Sequence, residues 1–312
     1  MNTAIDSKAL AAEANKRMRR ERQKRTLFGY AMFAPFFILF TVFVLLPVVW
    51  GFIISFTHYN LVQPMTFAGL ENYRRMITED SQFIKALSNT LMFVVTLGPF
   101  NFIFSFFIAW VISRIKYRNV FAMLFYVPSV LGVSVIQLIF TLLFSNDQNG
   151  LVNSILLKWD FIRTPILFKT YPQYIVPLVY FLAMWQSLGN GFLVNLAGLF
   201  SVPEERYEAA AIDGVRNRFQ ELIYITLPSM KPQLLYTVIT TSVAVFNFND
   251  IGMAVAAFPS PEDCVRTLVT HINDHGFVRY ELGYASAIAF LLFLMSFLVG
   301  SFFMKVLSTK GE

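Results

Sequence analysis

The sequence carries one cysteine, Cys264, which excludes an intrachain disulfide and leaves the redox compartment unread. Charge is also scarce. Asp, Glu, Lys and Arg make up 14% of the 312 residues, against about a quarter in an ordinary soluble chain. No Gly-x-x-x-x-Gly-Lys-Ser/Thr stretch occurs, so phosphate cradling in the P-loop manner is excluded. Histidines number three. No cluster of His, Cys or paired carboxylates lies within the long apolar runs, which argues against a membrane-embedded enzyme.

What is abundant is apolar. Hydrophobic residues make up 56% of the chain, with 35 Phe, and they fall into six runs: about 27–57, 86–112, 119–145, 174–199, 233–256 and 283–305. Each exceeds the roughly 20 residues a helix needs to cross about 30 Å of hydrocarbon. Barrel strands are excluded, because the runs are apolar on every face and far longer than such strands. The expected fold is all-α, a polytopic membrane protein with six transmembrane helices. The first run is too long for a signal peptide and no small-residue cleavage pattern follows it, so it reads as an uncleaved span. The expected organisation is a basic tail over 1–26, a six-helix domain over 27–305 with a long loop at 200–232, and a short tail over 306–312.

The net charge of +6 does not point to nucleic acid, because the basic residues sit between the runs, where they set orientation and meet anionic lipid. With the N-terminus inside, the inner segments hold 17 of the 25 Lys and Arg and the outer loops 8. The largest cluster is Lys16, Arg17, Arg19, Arg20, Arg22, Lys24 and Arg25. Both termini are therefore expected in the cytoplasm.

The loop 200–232 is patterned. Pro203 suits the first position of a helix, and Glu204 and Glu205 complement the dipole of its first turn. Ala209, Ala210 and Ala211 propagate it, and Asp213-Gly214 breaks it, since Gly accepts the left-handed C-cap conformation. A second helix is expected over about 215–226, with Phe219, Leu222 and Ile223 on one face and with Pro228 and Pro232 ending it. Helix, turn, helix is an element that suits docking, and more than a plain linker needs.

Glu208-Ala209-Ala210, Asp213-Gly214, Ile225, Leu227, Pro228 and Pro232 resemble the EAA loop of binding-protein-dependent ABC importer permeases. The stretch Phe67, Gly69, Leu70, Asn72, Tyr73 is similar to the MalF-like, carbohydrate-uptake branch. So are Asn195-Leu196-Ala197-Gly198-Leu199 and Gly283-Tyr284-Ala285-Ser286-Ala287. Pro259-Ser260-Pro261-Glu262-Asp263 departs from the Gly-Gly-Pro-type turn of that branch.

The resemblance implies a permease subunit that moves a sugar or related polyhydroxylated solute. It implies a second homologous permease, an ABC ATPase dimer and an extracytoplasmic solute-binding protein as partners. ATP and Mg would be bound by the ATPase, with no cofactor on this chain. Glu208, Ala209, Ala210, Asp213, Gly214, Leu227 and Pro228 would form the ATPase contact. One alternative is an ABC permease for a non-sugar solute. The rival outside that class is a gradient-driven carrier or channel. It wants ionisable relays within its spans, and of the 19 acidic residues only Asp250 falls inside a run.

Candidate pathway residues are Phe246, Asn247, Asn249 and Asp250 in the fifth run and Trp185, Gln186 and Asn195 in the fourth. Polar and aromatic groups there could meet a polyol, or could merely join helices. His271 and His275 stand four apart beside Asp274, a metal-ligand spacing. With no third ligand in view they are expected as a solvated loop, and no metal site is assigned. Leu151, Ile155, Leu156 and Trp159 predict a short amphipathic helix, lying on lipid or under a docked protein.

Overall fold

A computed structural model of the protein describes residues 3–246, 252, 255, 256 and 259–307. The chain divides into two units, Met1–Ile54 and Ser55–Glu312.

The first unit is one helical run. Helix α1 (Thr3–Phe40) passes through a π turn (Thr41–Leu45) into α2 (Leu46–Ile54). In the π turn the Leu46 N–H reaches back to the Thr41 carbonyl. The next residue is Pro47, whose ring has no N–H and crowds the preceding carbonyls, so the wider turn gives it room. From Leu27 to Ile53 the large apolar side chains are exposed, as a surface facing hydrocarbon would be.

The second unit opens with a hairpin of two-residue strands, β1 (Thr57–His58) paired antiparallel with β2 (Thr66–Phe67), and a short helix α3 (Glu71–Thr78). Helix α4 (Ser81–Ser113) follows, capped by Asp80, whose side chain accepts from the Phe83 N–H. Then come α5 (Arg118–Val130), α6 (Val133–Leu143), α7 (Leu151–Lys158) and the 30-residue α8 (Pro172–Ser201). Helix α9 (Glu204–Ile212) leads to α10 (Arg218–Glu221), a second π turn (Leu222–Thr226), α11 (Leu227–Ser229) and α12 (Lys231–Phe246). Later in the chain lie α13 (Leu268–Asn273), a third π turn (Asp274–Val278) and α14 (Leu282–Leu307).

Three apolar cores are spaced along α4. Near its start, Phe83 and Ala86 pack with Phe246, Tyr284 and Ile288. In its middle, Phe93 and Leu97 meet Ile136, Phe140, Val179 and Leu182. Near its end, Ile108 and Ile112 meet Phe192, Leu196, Val202 and Met230.

Among the described residues three helical stretches are long and apolar enough to cross a membrane: Glu21–Ile54, Ser81–Ser113 and Leu282–Val306. The count is four if the pair α5 and α6 is one broken span. The expected third span is thus not the single straight helix of the hydropathy reading. It bends by 97° between Val130 and Ser134. Leu131 and Gly132 are extended there, at ψ 127° and 148°. Pro128 has already removed one helix bond, and Gly132 has little helix propensity to resist the break. The fourth expected span coincides with α8, and the fifth begins on α12 and runs past the described residues.

A second correction concerns Pro228 and Pro232. They do not end a helix over 215–226. The helical path runs through both prolines from Arg218 to Phe246 with one turn residue, Met230. The Leu227 N–H reaches Leu222 O across the π turn directly ahead of Pro228, the same device that precedes Pro47.

Candidate functional site

The helix–turn–helix stands at the ends of α4 and α8. Pro203 is the extended residue before α9, and Glu204 and Glu205 occupy its first turn. At its other end the Asp213 and Val215 N–H groups close onto Ala209 O at 3.0 Å and Ala210 O at 3.0 Å. That closure puts Gly214 at φ +95°, in the left-handed region. Asn217 then caps α10 by accepting from the Gln220 N–H at 2.8 Å, while Gln220 Oε1 accepts from the Arg216 N–H at 3.0 Å. The two bonds reciprocate as in a capping box.

The element is tied down on one side and open on the other. The Tyr207 and Thr226 hydroxyls meet at 3.1 Å, and Arg206 donates to Ser229 Oγ at 2.9 Å. Arg114, just past α4, pairs with Glu221 at 3.1 Å. A cleft of about 370 Å³ runs between Arg114, Phe200, Glu204, Tyr207 and Arg218. Of the predicted coupling residues, Glu208, Ala209, Asp213, Gly214 and Pro228 are exposed, Leu227 is half-buried and Ala210 is buried. Beside them, Ile212 is 87% exposed, Tyr224 69% and Phe219 66%. A rigid bend thus presents small and apolar groups to its surroundings.

The predicted pathway residues are not brought together into one described surface. Asn247, Asn249 and Asp250 lie outside the described residues. Phe246 is 1% exposed and belongs to the core around Tyr284. Trp185 is half-buried, its ring 6.3 Å from that of Phe140, and Gln186 is half-buried. Asn195 is fully buried and joins three helices: its Nδ2 donates to Ser105 Oγ at 3.3 Å and its Oδ1 accepts from Thr237 Oγ1 at 3.2 Å.

The expectation of a solvated His271–His275 pair is overturned. His271 is 0% exposed and His275 1%. The third group is Asp80, 191 residues away from His271 in sequence, whose Oδ2 accepts from His271 Nε2 at 2.9 Å and from the Tyr284 hydroxyl at 2.7 Å. Burial pushes the Asp80 carboxyl up, but the hydrogen bonds from His271, Tyr284 and the Phe83 N–H outweigh it and hold the group well below the usual carboxylate range. His275 Nδ1 meets Glu281 Oε2 at 2.6 Å. Burial draws the imidazole pKa of His275 down despite that bond. Burial raises Glu281, and its bonds to Arg75 and His275 bring it below its ordinary value. Arg266, 3% exposed, bonds Asp263 at 2.8 Å and Asp274 at 3.3 Å, and its Nη1 faces His271 Nδ1 at 3.2 Å. The spacing of the two histidines is legible in the sequence. The partner that buries them is too distant in the chain to be.

Residues 102–310 match the family described as "Binding-protein-dependent transport system inner membrane component". The chain is 33% identical over 288 residues to the arabinooligosaccharides transport system permease protein AraP of Bacillus subtilis (strain 168), covering 91% of this chain and 90% of that one. It is 28% identical over 273 residues to the lactose transport system permease protein LacF of Rhizobium radiobacter, covering 86% and 89%. Its fold is similar to a chain of a bacterial ABC transporter involved in the import of the acidic polysaccharide alginate. The TM-score is 0.78 at 21% identity, covering 93% of this chain and 98% of that one.

Proposed function

The chain belongs to the family of binding-protein-dependent transport system inner membrane components, and from that premise we propose that it is the permease subunit of an ATP-driven importer for a sugar or oligosaccharide. It is a multi-pass membrane protein and not itself an enzyme. The sugar class rests on the arabinooligosaccharide and lactose permeases it resembles. The solute is delivered by an extracytoplasmic binding protein, and a related alginate importer has been seen with its periplasmic protein bound. A second homologous permease and an ATPase dimer complete the assembly, and ATP and Mg²⁺ are held by that dimer. The chain lies in the inner membrane with both termini and the bend at Gly214 in the cytoplasm, an orientation supported by the excess of basic residues in the inner segments.

The observation that supports the coupling role is the bend itself. Its two arms are pinned to the ends of α4 and α11, and its tip leaves Ile212 exposed. ATP-driven closure of the ATPases moves the bend, and the spans switch access, provided the solute binds the two states differently. Cys264 is the sole cysteine, so a Cys264→Ser background with Ile212→Cys gives a single-site probe. In the reconstituted complex that cysteine should cross-link to the ATPase, and uptake of labelled oligosaccharide should require both ATP and the binding protein. Uptake by the chain alone, insensitive to ATP depletion and abolished by an uncoupler, would instead establish a gradient-driven carrier.

A further inference from the structure

The cluster around Asp80 plays no part in the reading above. It contains four carboxylates. Asp263 and Asp274 meet Arg266, Asp274 also meets Arg279, and Glu281 meets Arg75. Asp80 is met instead by two neutral donors, the Tyr284 hydroxyl and the Phe83 N–H, and by His271. Facing it, 3.8 Å away, is His275 Nε2. That nitrogen is buried and has no hydrogen-bond partner among the described residues. A lone pair directed at a carboxylate across a gap is an arrangement that wants a positive charge between them.

We propose that Asp80, His271 and His275 form a binding site for one divalent transition-metal cation of the zinc class. Each offers a ligand atom, and the three atoms lie within 4.8 Å of one another. Tetrahedral bonds of about 2.0–2.1 Å place neighbouring ligand atoms roughly 3.3 Å apart. The observed separations of 2.9 and 3.8 Å from Asp80 Oδ2 bracket that edge. Two imidazole nitrogens select such a metal over Mg²⁺ or Ca²⁺, which prefer all-oxygen sites.

The groups around His275 and Asp80 suit the role. His275 Nδ1 donates to Glu281, which Arg75 holds at 3.0 Å, so its Nε2 is left as the ligand atom. The Tyr284 hydroxyl steadies the ligating carboxylate. His271 must change tautomer. Its Nε2 now gives a proton to Asp80 because its Nδ1 faces Arg266. The cation replaces that proton, Nδ1 takes one up, and Arg266 Nη1 turns wholly to Asp274. Glu281 and Tyr284, which bond His275 and Asp80, also line a cavity of about 270 Å³. Bound by the three ligands, the metal clips the start of α4 to the segment ahead of α14.

The test uses the full transporter complex, purified without a histidine tag, stripped by a chelator and reloaded with Zn²⁺, with Co²⁺, or with Mg²⁺ as control. Wild type should keep one more equivalent of Zn²⁺ per complex than His275→Gln and melt several degrees higher with Zn²⁺ than with Mg²⁺. It should also show the visible absorption of four-coordinate Co²⁺. Glu281→Gln should weaken Zn²⁺ binding by roughly 10–100-fold, and His58→Gln, at an exposed pair with Glu71, should bind as wild type does. Equal Zn²⁺ retention by wild type and His275→Gln overturns the proposal. If His275→Gln does not fold, electron paramagnetic resonance of Cu²⁺-loaded wild type decides. Splitting by two imidazole nitrogens supports the site, and its absence overturns it.

Discussion

Tyr207 on α9 and Thr226 in the second π turn meet hydroxyl to hydroxyl at 3.1 Å, and this bond joins the two arms of the bend at Gly214. Glu221, on the second arm, adds the link to Arg114 beyond the end of α4. The proposed coupling role requires a bend that keeps its angle, and these bonds tie its arms together.

Tyr207→Phe removes the hydroxyl and keeps the ring. One hydrogen bond of this kind contributes about 0.5–1.5 kcal/mol. The single variant should therefore fold, and solute moved per ATP hydrolysed should fall modestly. Tyr207→Phe with Glu221→Gln releases both the arm-to-arm bond and the tie to Arg114, and should lower that ratio further. A double variant with the wild-type ratio would show that the bonds do not set the stroke.

Gly214 has φ +95°, and no atom stands within 4 Å of where its Cβ would be. The cost of a side chain there is then all in the backbone, about 1–2 kcal/mol for an ordinary residue and more for a β-branched one. Gly214→Val should uncouple hydrolysis from uptake. Gly214→Asn should largely retain coupling, since Asn enters the left-handed region more readily. A steric role for the glycine would make the two variants equally poor. A Gly214→Val complex with full uptake per ATP would count against docking at this bend.

The bend was readable because each of its signals is local. Glu204 and Glu205 mark the helix start and Gly214 the stop. The cap at Asn217 with Gln220, equally local, went unread, and it starts the second helix at Arg218 and not at about 215. Other features depend on what the sequence does not write locally. A proline marks a missing N–H, yet Pro47 and Pro228 each follow a π turn that lets the helix continue. Hydropathy over 119–145 reports apolarity and not direction, so the 97° break passed unseen. His271 and His275 could be paired by spacing, but Asp80 lies 191 residues from His271, and only packing reveals the burial. Asn153 shows the same limit. It sits in the expected amphipathic helix, and its fully buried amide holds Ile166 by bonds of 2.9 and 3.0 Å.

Asn195 separates two roles that a polar residue in a span can have. Asn195→Ala loses its bonds to Ser105 and Thr237, each worth roughly 0.6 kcal/mol within a membrane. As an interhelical tie, it should lower the melting temperature of the complex and leave the half-saturating solute concentration for uptake nearly unchanged. A large rise in that concentration with unchanged melting would identify Asn195 as a pathway residue exposed in another state of the transporter.

Gly283 begins the turn of α14 that crosses the hairpin. Its N–H donates to Tyr59 O at 3.1 Å, and a Cβ added there would collide with the Thr57 carbonyl. Backbone cannot retreat as a side-chain end can, so Gly283→Ala should cost about 1–3 kcal/mol or more. The loss should extend to Tyr284, next along the helix, and so to its bond with Asp80. Gly300 in the same helix has nothing within 4 Å of its Cβ position, and Gly300→Ala should be neutral or stabilise slightly. Thermal unfolding of the two variants in one detergent gives the comparison. Equal melting temperatures would mean that the hairpin gives way at Thr57, and that the close approach at Gly283 is not what fixes the start of α14.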